Sequence, residues 1–487
     1  MSSHVISLWR VVTSGEFLVS TGGRALVLLD ANLVPPAAPP SAPSPAARVQ
    51  VGIDAAITAN HHVAVRRLGA DGTVTTTRFV VPPTLSGLAM LTRRLADCPG
   101  VLAVAELTSM TWLPLAAAVS DAGGALALVG SRHAARLRGA ISGKNKSDVI
   151  DADVLARAGE VFDLVPLRLP GPGQLALRRA VTRRGVAVVD GNRCLRRLIS
   201  LARWAFPDVW NAFGGSLPTA KTVLARWPHL EALAAARRSS LTAVVAEHTR
   251  GVPDVPARVE AIRAGARDWA AFWAGRADLD ALAWDVSEYL SDLAVAADRV
   301  ERATVAATAY WERLYGQDEL LTSLPGMGPV TAPTVRAFLG DAAGFPTAKA
   351  AAGYVGITPS NWSSGTVTQP GRAITKEGPA VLRLAFYQAA NAARRGDPQL
   401  AACYHRLMSE RGHCHTSATV AVARKLVERT WTVLTRGEAY QLRDLEGQPI
   451  TERAAKALVA SRFTVGADVR ARARARSAAT HRAKLTR

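Results

Sequence analysis

Cysteine is scarce. Four residues, Cys98, Cys194, Cys403 and Cys414, are scattered over 487 positions. That is no disulfide framework, and it suits a reducing cytoplasm. Apolar runs of membrane-spanning length are also missing, which removes a helical membrane anchor from consideration. Residues 1–30 are mildly apolar but interrupted by Arg10, Glu16 and Arg24, so they lack the layout of a secretory signal. Acidic residues are outnumbered, 39 against 59 Lys and Arg, giving a net charge of +20 and a pI near 10.7. Such an imbalance favours a polyanionic partner, in most cases nucleic acid. Part of the arginine excess also fits the codon bias of a GC-rich genome. Against these shortages, 49% of the residues are hydrophobic, enough for buried cores. The length accommodates about two to four domains.

Read in order, residues 1–48 form a lead and a linker. Six prolines (Pro35, Pro36, Pro39, Pro40, Pro43, Pro45) fall among Ala and Ser in the second half, an extended composition without a core. Residues 49–165 alternate strands with helices. The strand pattern of residues 48–56 ends around Asp54. Two further strands, 61–67 and 74–81, complete a meander, and 101–106 is a buried strand ending in Glu106. Helices are expected at 85–96 and 113–122, with another strand at 125–129. This is an α/β domain with parallel elements, and such sheets place their sites at the carboxyl ends of the strands.

Lys146-Ser147-Asp148-Val149-Ile150-Asp151-Ala152 reads as a helix start, capped by Ser147 or Asp148. Asp148 and Asp151, three apart, project from one side. Such a pair needs a cation nearby: Lys144, Lys146 or a metal. With Asp54 and Glu106 they would offer four hard oxygen ligands, a set suited to Mg²⁺ or Mn²⁺. Asp54 taken alone reads rather as a turn or cap residue. Asp153 points away from the pair and is expected in solvent.

Residues 166–319 are helical. The stretch 173–206 carries eight arginines, including Arg178, Arg184 and Arg203, and should stay solvated or lie on phosphates. Trp227, Trp269 and Trp273 suit a core better than base stacking. Val286, Leu290, Leu293, Ala297 and Val300 form a seam that could join protomers as a coiled coil. Residues 320–436 begin with Leu324-Pro325-Gly326-Met327-Gly328, the form of a helix-hairpin-helix turn. Its Gly326 and Gly328 would let backbone N–H groups approach a DNA phosphate, although a plain helix–helix turn uses glycines too. The loop around Ser363, Ser364 and Gly365 is ordinary turn chemistry by spacing alone. Cys403, His405, His413, Cys414 and His415 match no standard zinc spacing. Residues 437–487 read as a disordered basic tail able to touch nucleic acid.

Together these stretches resemble the DEDD-type insertion-sequence transposases. The resemblance rests on Gly52-Ile53-Asp54, Glu106-Leu107-Thr108, the 146–152 stretch, Leu324-Pro325-Gly326-Met327-Gly328, Gly356-Ile357-Thr358-Pro359 with Ser364-Gly365, and Ile374-Thr375-Lys376-Glu377-Gly378 with Leu382-Arg383. These run in the family's order over about residues 50–436. Ser109 stands where the family has Gly after its Glu-Thr, and Lys376-Glu377-Gly378 lacks the usual Asn.

The resemblance implies a RuvC/RNase H-like N-terminal α/β domain, a coiled-coil-like helical middle and a mainly α C-terminal transposase domain. It implies that Asp54, Glu106, Asp148 and Asp151 hold divalent metal and that Ser364, or its neighbour Ser363, joins covalently to a DNA strand. It further implies a structured guide RNA and a homo-oligomer, dimer or tetramer. Arg372, Lys376 and Arg383 become candidate phosphate clamps. The alternatives are a metal-dependent nuclease that forms no covalent intermediate, and a nucleic-acid-binding protein without catalysis. The expected location is the cytoplasm, at the nucleoid.

Overall fold

The computed structural model describes residues 48–485, apart from residues 70, 108–109, 144, 249–253, 361–362, 365–366 and 369–372. Two compact units emerge. One is residues 182–306; the other joins the described residues up to 181 with those from 307 onward.

The N-terminal sheet has the order β3-β2-β1-β4-β5. Strands β1 (Arg48–Asp54), β2 (His61–Leu68) and β3 (Val74–Val81) form the expected antiparallel meander. Strands β4 (Leu102–Glu106) and β5 (Ala125–Val129) join in parallel. The period-2 alternation of a strand assigns each residue to a face. Val51, Ile53, Ala103 and Ala105 share one core with α1 (Leu85–Leu95) and α2 (Trp112–Asp121). Val104 and Val129 share the opposite core with α3 (Ser131–Ser142) and α4 (Asp148–Ala156). This mixed α/β layering is consistent with an RNase H-like fold.

The 182–306 unit is all helix. It takes in most of α5 (Pro172–Ala205) and α11 (Leu279–Tyr315), with shorter helices between them. Arg184 Nε donates to Thr304 Oγ1 at 2.9 Å, and the Cys194 thiol to Asp292 Oδ2 at 3.7 Å. As one number rises the other falls, so α5 and α11 pair antiparallel. Val286 and Leu293, read as a protomer-joining seam, are buried in this unit's own core, with Leu290 packed against it. Trp227, Trp269 and Trp273 line the same core. Trp269 Nε1 donates to Asp208 Oδ2 and Trp273 Nε1 to Ala205 O.

In the other unit, Asp318 caps α12 (Glu319–Thr322) and pairs with Arg336 of α13 (Thr331–Leu339), Nη2 to Oδ1 at 2.7 Å. Both side chains are buried, and Trp311 Nε1 donates to the same carboxylate. Helices α14 (Ala348–Val355), α15 (Ala380–Ala393), α16 (Pro398–His405) and α17 (His415–Arg436) follow. His415 Nδ1 shares a hydrogen bond with Tyr404 OH, and His413 Nδ1 with Ser417 Oγ, so both histidines have structural partners.

The tail is not a disordered arm. It folds into α18 (Glu452–Arg462) and α19 (Ala467–Leu485). Thr451 caps α18, and Ala455, Val459, Val465 and Ala473 are buried. Four small apolar residues among many arginines suffice to dock it, a pattern that bulk charge conceals. Among the described residues no helix is long and apolar enough to cross a membrane.

Candidate active site

Sheet alternation brings the acids to one side. Asp54 shares parity with Gly52, and Glu106 with Val104, so both lie on the face covered by α4. Ile53 pairs with Ala105 in the parallel β1–β4 ladder, which sets the two carboxylates at adjacent strand ends. Helix α4 lies directly on β1. A Cβ on Gly52 would stand 2.0 Å from Ala152 O and 2.2 Å from Ala156 N. Ala64 of β2 meets the same two alanines. Ser147 caps α4 by accepting from Ile150 N, so Asp148 and Asp151 occupy its first turn. There the exposed N–H groups and the helix dipole favour negative charge.

Asp54 senses the other three acids. The half-buried Asp54 is pushed up to about 6, first by burial, then by the charges of Asp148, Asp151 and Glu106, with His62 opposing. The described cation beside Asp151 is an arginine. Lys144 lies outside the described residues and Lys146 is exposed. Arg138 of α3 takes the place, its Nη1 donating to both Asp151 oxygens at 2.8 and 2.9 Å. His62 Nε2 stands 3.8 Å from Asp148 Oδ2. No spacing rule pointed to His62 or Arg138, although His62 sits opposite Asp54 in the β1–β2 register. Asp153 is not simply solvated: Arg78 of β3 donates to both its oxygens.

The carboxylates are gathered without being closed on one point. Among the described residues no three His, Cys, Asp or Glu side chains form a ready metal cluster. Asp151 is turned to Arg138, and Asp148 is largely exposed beside His62. The donor set, all carboxylate oxygen, fits a hard divalent cation.

The C-terminal residues take varied places. Ser363 and Ser364 form β6, paired antiparallel with β7 (Val367–Thr368), Ser364 opposite Val367. The bridge between Pro359 and Ile374 extends the same hairpin toward its base. Arg372 lies outside the described residues. Lys376, exposed and at φ +58°, donates its N–H to Gly356 O. At the base, a Cβ on Gly378 would stand 1.8 Å from Tyr354 O. Arg383 Nη1 donates to Val355 O and Gly378 O, tying this crossing together. Gly326, at φ +85°, has no room for a side chain beside Ala389 O. Gly328 N–H donates to Thr331 Oγ1.

Comparison with known proteins converges on these same segments. A DEDD transposase family of the IS110 type matches residues 51–207, and the family described as transposase IS116/IS110/IS902 matches residues 318–405. The chain belongs to the DEDD-type insertion-sequence transposases, enzymes that act on DNA. The first match covers the sheet and α4; the second covers the Gly326 turn, the Ser364 hairpin and α15. The transposase is 28% identical to an insertion element IS116 protein of 44.8 kDa from Streptomyces clavuligerus, over 80% of this chain and 94% of that one. An insertion element IS110 protein of 43.6 kDa from Streptomyces coelicolor is 35% identical over 26% of this chain, a stretch spanning 30% of that relative's length. The pilin gene-inverting protein of Moraxella lacunata is 27% identical over 26% of this chain and 38% of its own.

Proposed function

We propose that this transposase cuts and rejoins DNA strands by phosphoryl transfer, with Asp54, Glu106, Asp148 and Asp151 as ligands for a divalent cation and Ser364 as nucleophile. The supporting observation is the gathering of four carboxylates from three separate stretches at one sheet end, where burial, and then the charges of the other three, raise the proton affinity of Asp54. Bound there, Mg²⁺ or Mn²⁺ would withdraw charge from a phosphate oxygen.

The chain's own part is the covalent exchange. Ser364 Oγ forms a bond to phosphorus and gives up its proton to a base; the bond from phosphorus to the 3′ oxygen breaks, and that oxygen takes up a proton. The phosphoserine diester conserves the bond, so resealing needs no external energy source. Lys376 and Arg372 are the candidate phosphate contacts near the hairpin in sequence. Arg383, committed to backbone carbonyls, would act by positioning the hairpin. A structured guide RNA would select the DNA, and association of protomers would complete the working assembly. The exposed arginines of α5, such as Arg193, Arg196 and Arg197, offer phosphate contacts for either nucleic acid.

The test is end-labelled element DNA incubated with the protein and Mg²⁺, then run on a denaturing gel. A covalent protein–DNA band is expected, lost in Ser364→Ala and kept in Ser363→Ala. The converse pattern moves the nucleophile to Ser363. Cleaved DNA with no band in any variant overturns covalent catalysis in favour of metal-dependent hydrolysis.

A further inference from the structure

The folded tail creates a cavity of about 340 Å³ that the catalytic reading does not use. Its cationic lining is Arg394 and Arg395 at the end of α15, Lys456 of α18 and Arg470 of α19; its apolar wall includes Val459 and Phe463. None of the lining residues is acidic. Lys456 is paired with Glu452 on the outer surface of its own helix. Among the described residues, Arg394, Arg395 and Arg470 form no ion pair with a carboxylate.

Like charges do not gather in this way without a reason. The Arg394 guanidinium is stacked 4.2 Å from the Tyr404 ring centroid and tied by Nε to Asn391 Oδ1, so it is fixed in place. Burial, and then the nearby charges of Arg395 and Arg470, push its proton affinity down. An anion in the cavity would relieve that repulsion. Arg470 and Arg474, one turn apart on α19, continue the positive line outward. Residues 437–487 hold eleven Lys and Arg against five Asp and Glu, so the whole tail favours a polyanion over a small metabolite. The cavity also lies outside both matched family segments except for its α15 rim.

We propose that this cavity is a second nucleic-acid contact, separate from the acidic site, in which Arg394, Arg395 and Arg470 grip a backbone phosphodiester of a strand lying along α19. It rests on the chain being an enzyme that acts on DNA, and its test separates the two.

The full-length protein is titrated with fluorescent single-stranded RNA, single-stranded DNA and duplex DNA at several salt concentrations. The double variant Arg395→Gln with Arg470→Gln alters two exposed side chains, and an unchanged melting temperature checks the fold. Affinity should fall about tenfold at physiological salt, and the slope of log affinity against log salt should drop by about 0.7–0.9 for each phosphate lost. The strand type that shows the loss names the bound nucleic acid. A control pair of equal charge change outside the cavity, Arg462→Gln with Arg472→Gln, should bind nearly as the parent does. Equal loss in both pairs, or none in the first, overturns the cavity and leaves the catalytic reading intact. A parent chain that binds none of the three probes overturns both.

Discussion

Gly52 and Ala152 are in backbone contact: a Cβ on the glycine would stand 2.0 Å from the alanine carbonyl oxygen. That closeness fixes how far α4 can stand from β1, and so where its first turn presents Asp148 and Asp151. Gly52→Ala should therefore destabilise the N-terminal domain by at least about 1–3 kcal/mol, the range for overpacking a tight contact. Thermal melts check this. DNA cleavage should fall further than stability explains, because the acids shift together.

Asp54 gives a pH dependence of definite sign. Its proton affinity rises from the ordinary 3.8 to about 6 on folding, so the folded state holds the proton more tightly. Its contribution therefore favours folding at low pH and is lost as pH rises through that window. Asp54→Asn should be more stable than the parent above about pH 6, with a flatter stability profile, as urea titrations across that range would show. Mg²⁺ should raise the parent's melting temperature and leave that of Asp54→Asn nearly unchanged.

Arg138 holds Asp151 by hydrogen bonds to both carboxylate oxygens. Replacing it with Met leaves a buried carboxylate without its partner and should cost about 2 kcal/mol, in keeping with hydrogen bonds to charged groups. If the guanidinium stands in for a cation, Mg²⁺ should recover part of that loss, and the variant should bind Mg²⁺ more tightly than the parent. Calorimetric titration distinguishes this from a purely structural role, in which added Mg²⁺ restores nothing.

The Asp318–Arg336 pair is buried on both sides. Arg336→Met should destabilise the C-terminal part by about 3–5 kcal/mol, because it strands a buried charge. Burial alone would raise the Asp318 carboxyl, but the hydrogen bonds from Arg336 and Trp311 outweigh it and hold it below its usual range. The pair's contribution is thus present above the ordinary carboxylate value and lost as pH falls through the depressed one. Acid unfolding of the variant should begin from a lower plateau and show a shallower slope.

Much of the N-terminal architecture was legible in the residues. Val74–Val81 follows from its Val- and Thr-rich composition, and Ser147 followed by Asp148 and Asp151 announces a capped helix. Glu106 stood out because an apolar strand seldom ends on a carboxylate without cause, whereas Asp54, taken alone, read as a turn or cap residue. Arg138 was not legible: its role depends on how α3 lies against α4, and its surroundings in sequence, Arg-Leu-Arg-Gly, look like any solvated helix face. Gly326 read as a phosphate contact, yet its positive φ and the nearby Ala389 carbonyl give it a packing reason of its own. The tail was misread because eleven positive residues mask the few alanines and valines that anchor it. The seam of Val286 and Leu293 had the right period but a different customer, the core of its own unit.

The antiparallel pairing of α5 with α11 has an evolutionary consequence. The polypeptide departs near Arg184 and comes back near Thr304, within reach of a single hydrogen bond. A short bridge could join those two points, so the stretch between them can be trimmed or replaced without rethreading the chain on either side.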